Sequence, residues 1–423
     1  MTPHAPMTPS SPRHVVVVGA GIVGTATAIW LRRFGADVTL IDRDPPGQGA
    51  SFGNAGVLAA GAVVPVTTPG LWKKALPMLL RRDSPLFLRW GHLPKLAPFL
   101  TRYMSHATDA DVREAAAALA PLTSDSAEQH LALTEGLTAR RHVVPGEYLH
   151  AYADRAAFDA DGYAWGLKAE YGFGAEEVLT GGAVQEAEPS LGDSVGCLAI
   201  QKHHGHITDP GAYVAALARD FEAMGGRVMR AGVKAITVEH AKFTHLETDA
   251  GPVPCDRAVI ACGAHSAPLL QGLGLTLPLE TERGYHLHFK GGSGGPSRPV
   301  MVAAGAFVAT PMETGVRCAG VLEFGGLDRG PSRAPLAMLR RLSARAFPGL
   351  AAPEVEEWMG HRPALPDSLP VIGEVGQSGV HAALGHHHVG LTAGPRTGRL
   401  VAAEIMGKRE NLDLTPYSPA RFS

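Results

Sequence analysis

The stretch from Arg13 to Asp42, RHVVVVGAGIVGTATAIWLRRFGADVTLID, restricts the fold more than any other part of the chain. Four consecutive valines, Val15 to Val18, suit a strand buried on both faces. Gly19, Gly21 and Gly24 follow in G-x-G-x-x-G spacing, and Ile22 to Phe34 has the pattern of an amphipathic helix ended by Gly35. A second strand, Val38 to Ile41, delivers Asp42. In such a unit the first glycine permits a tight turn, the second lets backbone approach a pyrophosphate, and the third brings helix and strand together. Backbone N–H groups around Ala20, Ile22 and Val23 would meet the anion at the helix start. Asp42, with Arg43 next to it, is placed to accept hydrogen bonds from a ribose diol. Strand before, helix after and acid at the right distance favour a dinucleotide site over a plain glycine turn.

A chain of 423 residues has room for two or three domains. Its formal net charge of −2 gives no electrostatic reason to bind nucleic acid. Cys197, Cys255, Cys262 and Cys318 show no C-x-x-C pair or regular spacing, so reduced thiols in a cytoplasm are expected. Residues 1–12 lack the apolar core of a signal peptide and are expected to form a disordered lead-in. No uninterrupted apolar run is long enough to cross a bilayer. Residues 71–104 place Lys73, Lys74, Arg81, Arg82, Arg89, Lys95 and Arg102 among leucines and aromatics, with Asp83 as the acidic exception. That pattern fits peripheral contact with an anionic inner-membrane surface. It fits equally well short helices packed on the core with their charges in water, and Pro77, Pro85, Pro94 and Pro98 forbid one long helix.

Further along, 111–135 and 156–171 have helical patterns and 147–153 that of a strand. Asp209 followed by Pro210 marks a helix start. His203, His204 and His206 have no companion carboxylate or cysteine at ligand spacing, so loop histidines are expected rather than metal ligands. Residues 257–262 form a second strand–glycine–helix junction, where Cys262 fits a tight turn better than a redox role. From Pro278 the pattern turns antiparallel, a helix covers 334–347, and a closing helix runs through Met406.

The segments VVVVGAGIVGTATA, SFGNAGV, DPGAYVAALA, AVIACGAHS, GHRPALPDSLPVIG and GHHHVGLT together resemble the D-amino-acid-oxidase-like flavoenzymes. The resemblance spans nearly the whole chain from Arg13 and is greatest to bacterial D-amino-acid dehydrogenases. ERGYHLHF with GHRPALPD looks closest to the branch acting on D-hydroxyproline. It implies an α/β fold: a Rossmann-type FAD-binding domain with an interleaved α+β substrate domain built on a mainly antiparallel sheet. The expected division is 13–60, 205–277 and 355–415 for FAD, with 61–204 and 278–354 for substrate.

By this resemblance FAD is held noncovalently in extended form. Gly19, Gly21 and Gly24 match its pyrophosphate turn and Asp42 its ribose acid. Ser51, Asn54, Ala55, Gly56 and Val57 match the loop running towards the isoalloxazine, and Val233 the strand beside the adenine. Cys262 and Gly263 stand where Thr-Gly is common. The family often has Gly-His-Gly in the last turn, whereas this chain has Gly385, His386, His387 and His388. His387 in place of glycine bears on the local backbone and on the volume of the site.

The implied chemistry moves a hydride from a substrate Cα to flavin N5, leaving an imine, while the protein supplies orientation and charge. Arg362 is the candidate partner for the substrate carboxylate, since a guanidinium binds carboxylate bidentately. Tyr285 is a candidate second hydrogen bond to that carboxylate, or else a tyrosine packed in the sheet. The helix beginning near Leu391 and Thr392, just after Gly390, would aim its N–H groups at the charge gained near flavin N1 and O2. His286, His386 and His388 are candidates for favouring the neutral amine, or for polar lining. Expected partners are a D-amino or imino acid, an electron acceptor such as a quinone, and further copies of the chain in an oligomer. Competing readings are a sarcosine- or glycine-type oxidase using oxygen and the flavin subunit of a larger complex.

Overall fold

The computed structural model describes residues 12–70, 86–239 and 242–422. The expected lead-in therefore falls, but for Pro12, outside the described residues, as does the first half of the basic 71–104 stretch. In chain order the elements that position the site begin with β1 (His14–Val18), α1 (Ile22–Arg33), β2 (Asp37–Asp42), α2 (Leu93–Ser105) and α3 (Pro210–Ala223). They continue with β3 (Arg227–Arg230), β4 (Arg257–Ile260), β5 (Glu280–Lys290), β6 (Gly315–Phe324) and α4 (Arg333–Ala346). Last come β7 (Glu354–Ala364), β8 (Val371–Glu374), β9 (Val380–Leu384) and α5 (Gly390–Ile405).

The valine run behaves as its composition dictates: Val15, Val16 and Val17 are wholly buried at the centre of a six-stranded sheet. The order is β8-β9-β4-β1-β2-β3, all parallel except β8 against β9. Strand order reverses at β1, between β2 on one side and β4 on the other. In open α/β sheets such a switch point leaves a crevice beyond the carboxyl ends of the strands. Helices α1 and α5 cover one face and share a core with Val15, Val17, Ile29, Leu400 and Val401. Their approach is close because Gly398 has no side chain; a Cβ there would stand 2.6 Å from the Thr27 nitrogen.

A second, larger sheet runs β7-β5-β6, then 307–312, 300–302, 143–152, 197–207 and 57–58. It is mixed: most neighbours are antiparallel, but Val300–Val302 pairs parallel with 143–152 and Leu86–Leu88 parallel with β6. Side chains alternate along a strand. On β5, Tyr285, Leu287 and Phe289 bury themselves under α4 with Leu336 and Leu339. Glu282, Gly284 and His286 take the opposite face, opposite Arg362, Gly360 and Trp358 of β7.

Three local outcomes refine the sequence reading. The helical 111–135 stretch is two helices, Asp109–Thr123 and Ser126–Leu133. Asp209 caps α3, its carboxylate accepting the Ala212 N–H at 3.0 Å. In α2 the apolar residues Leu96, Phe99 and Tyr103 turn inward and pack with Phe324 and Ala364. Within the described half of the basic stretch α2 thus spends its apolar face on the protein's own core, while Trp90 before it stays 63% exposed. Among the described residues, no helix is long and apolar enough to cross a membrane.

Candidate active site

A cavity of about 1150 Å³ opens where the switch point of the parallel sheet meets the exposed face of the mixed sheet. That is beyond the roughly 300–1,000 Å³ of a drug-sized ligand pocket, as a dinucleotide requires. Its wall at one end is formed by Asp42, Arg43 and Val233, and at the other by Arg362, His386 and His388. Gly19, Gly21, Ile22, Val23, Ser51, Asn54, Ala55 and Val57 line the passage between them, with Cys262, Gly263, Gly390, Leu391 and Thr392.

At the first end the glycines carry the geometry. Gly19 has φ +106°, and a Cβ on it would sit 2.4 Å from the Ala261 carbonyl oxygen. A Cβ on Gly24 would lie 1.8 Å from the Gly19 carbonyl oxygen, so α1 begins in backbone contact with the turn. Neither of these constraints involves a ligand. Gly21 differs: a Cβ there would meet nothing nearer than the Ser51 hydroxyl at 3.3 Å, so its bareness keeps room on the cavity side. As N-cap it offers no side-chain cap to α1, while Ile22 donates its N–H to the Ser51 hydroxyl at 3.0 Å. Asp42 is held by backbone, one carboxylate oxygen accepting the Ala20 N–H at 2.7 Å and the other the Asp44 N–H at 3.0 Å. Ala20 and Gly24 therefore build the turn from behind rather than line the cavity. Gly56 (φ +82°) does likewise: the Asn54 side chain accepts its N–H at 2.8 Å, folding the loop back. The Cys262 thiol donates to the Val18 carbonyl at 3.3 Å, and burial pushes it up to about 12.

At the far end Arg362 projects from β7 across Gly284, whose missing side chain makes its space; a Cβ there would be 2.7 Å from the guanidinium. Among the described residues no hydrogen bond or ion pair engages this guanidinium. It is half-buried by accessible surface because the cavity opens in front of it, yet deep enough that desolvation lowers its pKa, with nearby Glu282 opposing the shift. The 16-residue α5 points its N-terminus at the same region, with Val389 as an N-cap that has no side-chain hydrogen bond. His386 is tied by Nε2 to the Thr397 hydroxyl at 2.9 Å and pushed down to about 4 by burial. His388 extends its ring into the cavity, and burial, then His387 and Arg362, push it down to about 3.

The family model for FAD-dependent oxidoreductases named DAO matches residues 14–404. The chain belongs to this family. A protein named D-amino-acid oxidase from Bradyrhizobium diazoefficiens is 38% identical over 418 residues, 97% of this chain and 99% of the relative. A D-amino acid dehydrogenase from Methylobacterium nodulans is 32% identical over 96% of this chain and 99% of its own length. Among solved structures, glycine oxidase from Geobacillus kaustophilus superposes with a TM-score of 0.74 at 23% identity, over 97% and 98% of the two chains.

FAD is the cofactor of this family, and the chain's residues fit it. The Gly19–Gly24 turn, the helix start, the fixed Asp42 and the small-residue loop from Ser51 to Val57 form a cradle that side chains would fill.

Besides Ala20, Gly24 and Gly56, two of the candidate catalytic residues stand differently. His286 is buried behind the wall, stacked on Trp358 at 5.1 Å with its Nδ1 3.1 Å from the Gly53 carbonyl. Trp358 lies between the bare faces of Gly53 and Gly360 and screens it from the cavity. Tyr285 borders the cavity, but strand alternation sends its hydroxyl to the other face. There it donates to Glu323 at 2.6 Å and accepts the Ser332 N–H at 3.1 Å. It is a packed sheet tyrosine and does not reach Arg362. The histidines expected in a loop, His203, His204 and His206, lie instead on the 197–207 strand, where His204 is fixed structurally by the Gly61 N–H at 3.2 Å and the Lys202 carbonyl at 2.7 Å.

Sequence reasoning missed Glu282, which lines the cavity although only 1% exposed. An acid in an alternating strand resembles a solvent-facing one; the adjacent Gly284, a gap in the alternation, was the available signal. His387 adopts φ +53°, the left-handed backbone that the usual glycine would supply freely.

Proposed function

We propose that this protein is an FAD-dependent D-amino-acid dehydrogenase whose substrate is an imino acid of the D-proline or 4-hydroxy-D-proline type. The observation that carries the reading is Arg362, a guanidinium without a protein partner, facing a cavity whose other end is built for a dinucleotide. Glu282 across the strand offsets its charge without a hydrogen bond to it, so the donors of this half-buried guanidinium stay open for a ligand anion. An amino-acid carboxylate fits that geometry bidentately. Bound FAD would accept the hydride from the substrate Cα; the chain orients the substrate, excludes water and handles the amine proton. The bare N-terminus of α5 would favour the negative charge that accompanies reduction. Of the four cysteines, Cys262 alone borders the cavity, and its buried, hydrogen-bonded thiol suits noncovalent FAD.

We assign FAD binding to 13–60, 205–277 and 365–415 and substrate binding to 61–204 and 278–364. The expected boundary at 355 moves because β7, which carries Arg362, pairs with β5 in the mixed sheet. The acceptor in this proposal is a quinone at the inner membrane's cytoplasmic face. A second reading, oxygen as acceptor, is favoured by the 38% relative named an oxidase. The test is anaerobic bleaching of the purified yellow protein by D- and L-prolines, hydroxyprolines, D-amino acids, glycine and sarcosine. The proposal predicts fastest bleaching by D-proline or 4-hydroxy-D-proline, with slow return of colour in air. Bleaching by glycine or sarcosine alone would refute it, and rapid reoxidation in air would select the oxidase reading.

A further inference from the structure

Glu282, His387 and His388 form a chain of side chains that leads from the protein interior into the cavity beside Arg362. His387 Nε2 stands 2.9 Å from a Glu282 carboxylate oxygen, an ion-pair contact rather than an aligned hydrogen bond. His387 Nδ1 and His388 Nδ1 lie 2.8 Å apart, so one of these nitrogens must carry the proton between them. The His388 ring is the exposed end, and the exposure faces the cavity. No other donor among the described residues reaches either Glu282 oxygen.

We infer that Glu282, His387 and His388 are a proton relay that takes the amine proton of the zwitterionic substrate before its Cα is oxidised. The inference rests on the proposed amino-acid chemistry of this site. A substrate ammonium cannot give up hydride from Cα until it becomes a free amine. In the resting relay His387 carries its proton on Nε2, towards Glu282, and His388 carries its own on Nδ1, towards His387. That leaves the His388 Nε2 lone pair in the cavity. One substrate N–H bond breaks and its proton joins His388 Nε2, the electron pair staying on the amine. The Nδ1 proton of His388 then passes to His387 Nδ1. The result is a neutral amine, a neutral His388 and an imidazolium beside the Glu282 carboxylate.

The surrounding charges favour this direction. Arg362, facing from β7, is the cation that offsets Glu282 in the free protein. When a substrate carboxylate occupies Arg362, Glu282 is left with less positive charge around it, so an imidazolium at His387 meets an uncompensated carboxylate. His388 alone, lowered by burial and by Arg362, would hold the proton poorly; moving it one ring inward places it against a carboxylate. The other titratable groups near the relay are Tyr103 of α2, whose hydroxyl Glu282 helps to keep protonated, and neutral His386. Neither supplies a competing cation.

The test is the pH profile of anaerobic bleaching in the FAD-loaded protein and in Glu282→Gln and His388→Asn, each checked for retained colour and fold. At neutral pH both variants should slow by roughly 10²-fold, the lower end of general acid–base catalysis. Above the pKa of the substrate amine, where it arrives already neutral, both should recover the unsubstituted rate. A uniform loss at every pH would mean a structural role, and unchanged profiles would remove the relay. The independent readout is nitrogen NMR of the histidine rings in the free protein. A joint titration of His387 and His388, with Nδ1 protonated and Nε2 bare on His388 and lost in Glu282→Gln, supports the relay. Separate titrations or the opposite His388 tautomer overturn it, even if no amino acid bleaches the flavin. Absence of bleaching in the unsubstituted protein would instead refute the amino-acid reading.

Discussion

Replacing Arg362 with leucine should cost substrate binding far more than it costs the fold. In the free protein this guanidinium is desolvated, lies across Gly284 and has no hydrogen bond among the described residues. Removing it breaks no hydrogen bond and relieves a desolvated cation, but it also takes away the charge that offsets buried Glu282. We expect the variant to keep its FAD and, because these two effects oppose each other, to unfold close to the temperature of the unsubstituted protein. Substrate binding should suffer fully, because all five N–H donors are available to the ligand carboxylate. Removing one partner of a buried ion pair costs about 3–5 kcal/mol. At about 1.36 kcal/mol per decade this is a fall in kcat/KM of roughly 10²–10⁴. Stopped-flow bleaching at varied D-proline gives the rate, and thermal unfolding of the same sample gives the stability. A kcat/KM within threefold of the unsubstituted protein would refute the anchoring role. A large drop in unfolding temperature would mean that the guanidinium serves the fold more than the substrate.

Gly21→Val should leave the chain folded but colourless, since the nearest obstacle to a Cβ is a serine hydroxyl at 3.3 Å. Gly19→Val should not fold, since φ is +106° and the Ala261 carbonyl lies 2.4 Å from the new Cβ; circular dichroism and flavin content of the pair decide this. Tyr285→Phe should leave KM within threefold while costing about 1.5–3 kcal/mol in urea unfolding, the range for a hydrogen bond to a charged group. A tenfold rise in KM would return Tyr285 to the substrate. Stability should fall on acidification, because burial pushes His130, His204 and His386 down to about 4. Unfolded histidines take up protons below about 6.5 while the folded ones resist until about 4, so stability present above 6.5 is lost towards 4. Each contributes on the order of 3 kcal/mol at most. Urea midpoints that stay flat from pH 7 to about pH 4.5 would contradict those neutral buried rings.

What the sequence disclosed follows the range of the interactions involved. The β1–α1–β2 unit was legible because each part is local: a valine run, three glycines and an acid within thirty residues of one another. The cap of α3 by Asp209 and the start of α5 were legible for the same reason. Arg362 was found through a segment pattern, but its isolation depends on Gly284 in another strand, nearly eighty residues earlier. Glu282 was not legible at all, because its meaning depends on His387, over a hundred residues away. Tyr285 and His286 each had two readings in the sequence, since neither residue type discloses which side of β5 faces the cavity or that Trp358 covers His286. The basic 71–104 pattern left two readings open, and in its described part the hydrophobic residues of α2 turned inward onto Phe324 and Ala364.

The most direct test of the account is a crystal structure of the oxidised, FAD-loaded protein with pyrrole-2-carboxylate, a planar mimic of proline that cannot lose hydride at Cα. The account predicts FAD extended from Asp42 to the α5 N-terminus and the ligand carboxylate on Arg362 through two hydrogen bonds of about 2.7–2.9 Å. Its ring nitrogen should lie within reach of His388. A carboxylate bound elsewhere, with Arg362 still unpartnered, would contradict the central claim.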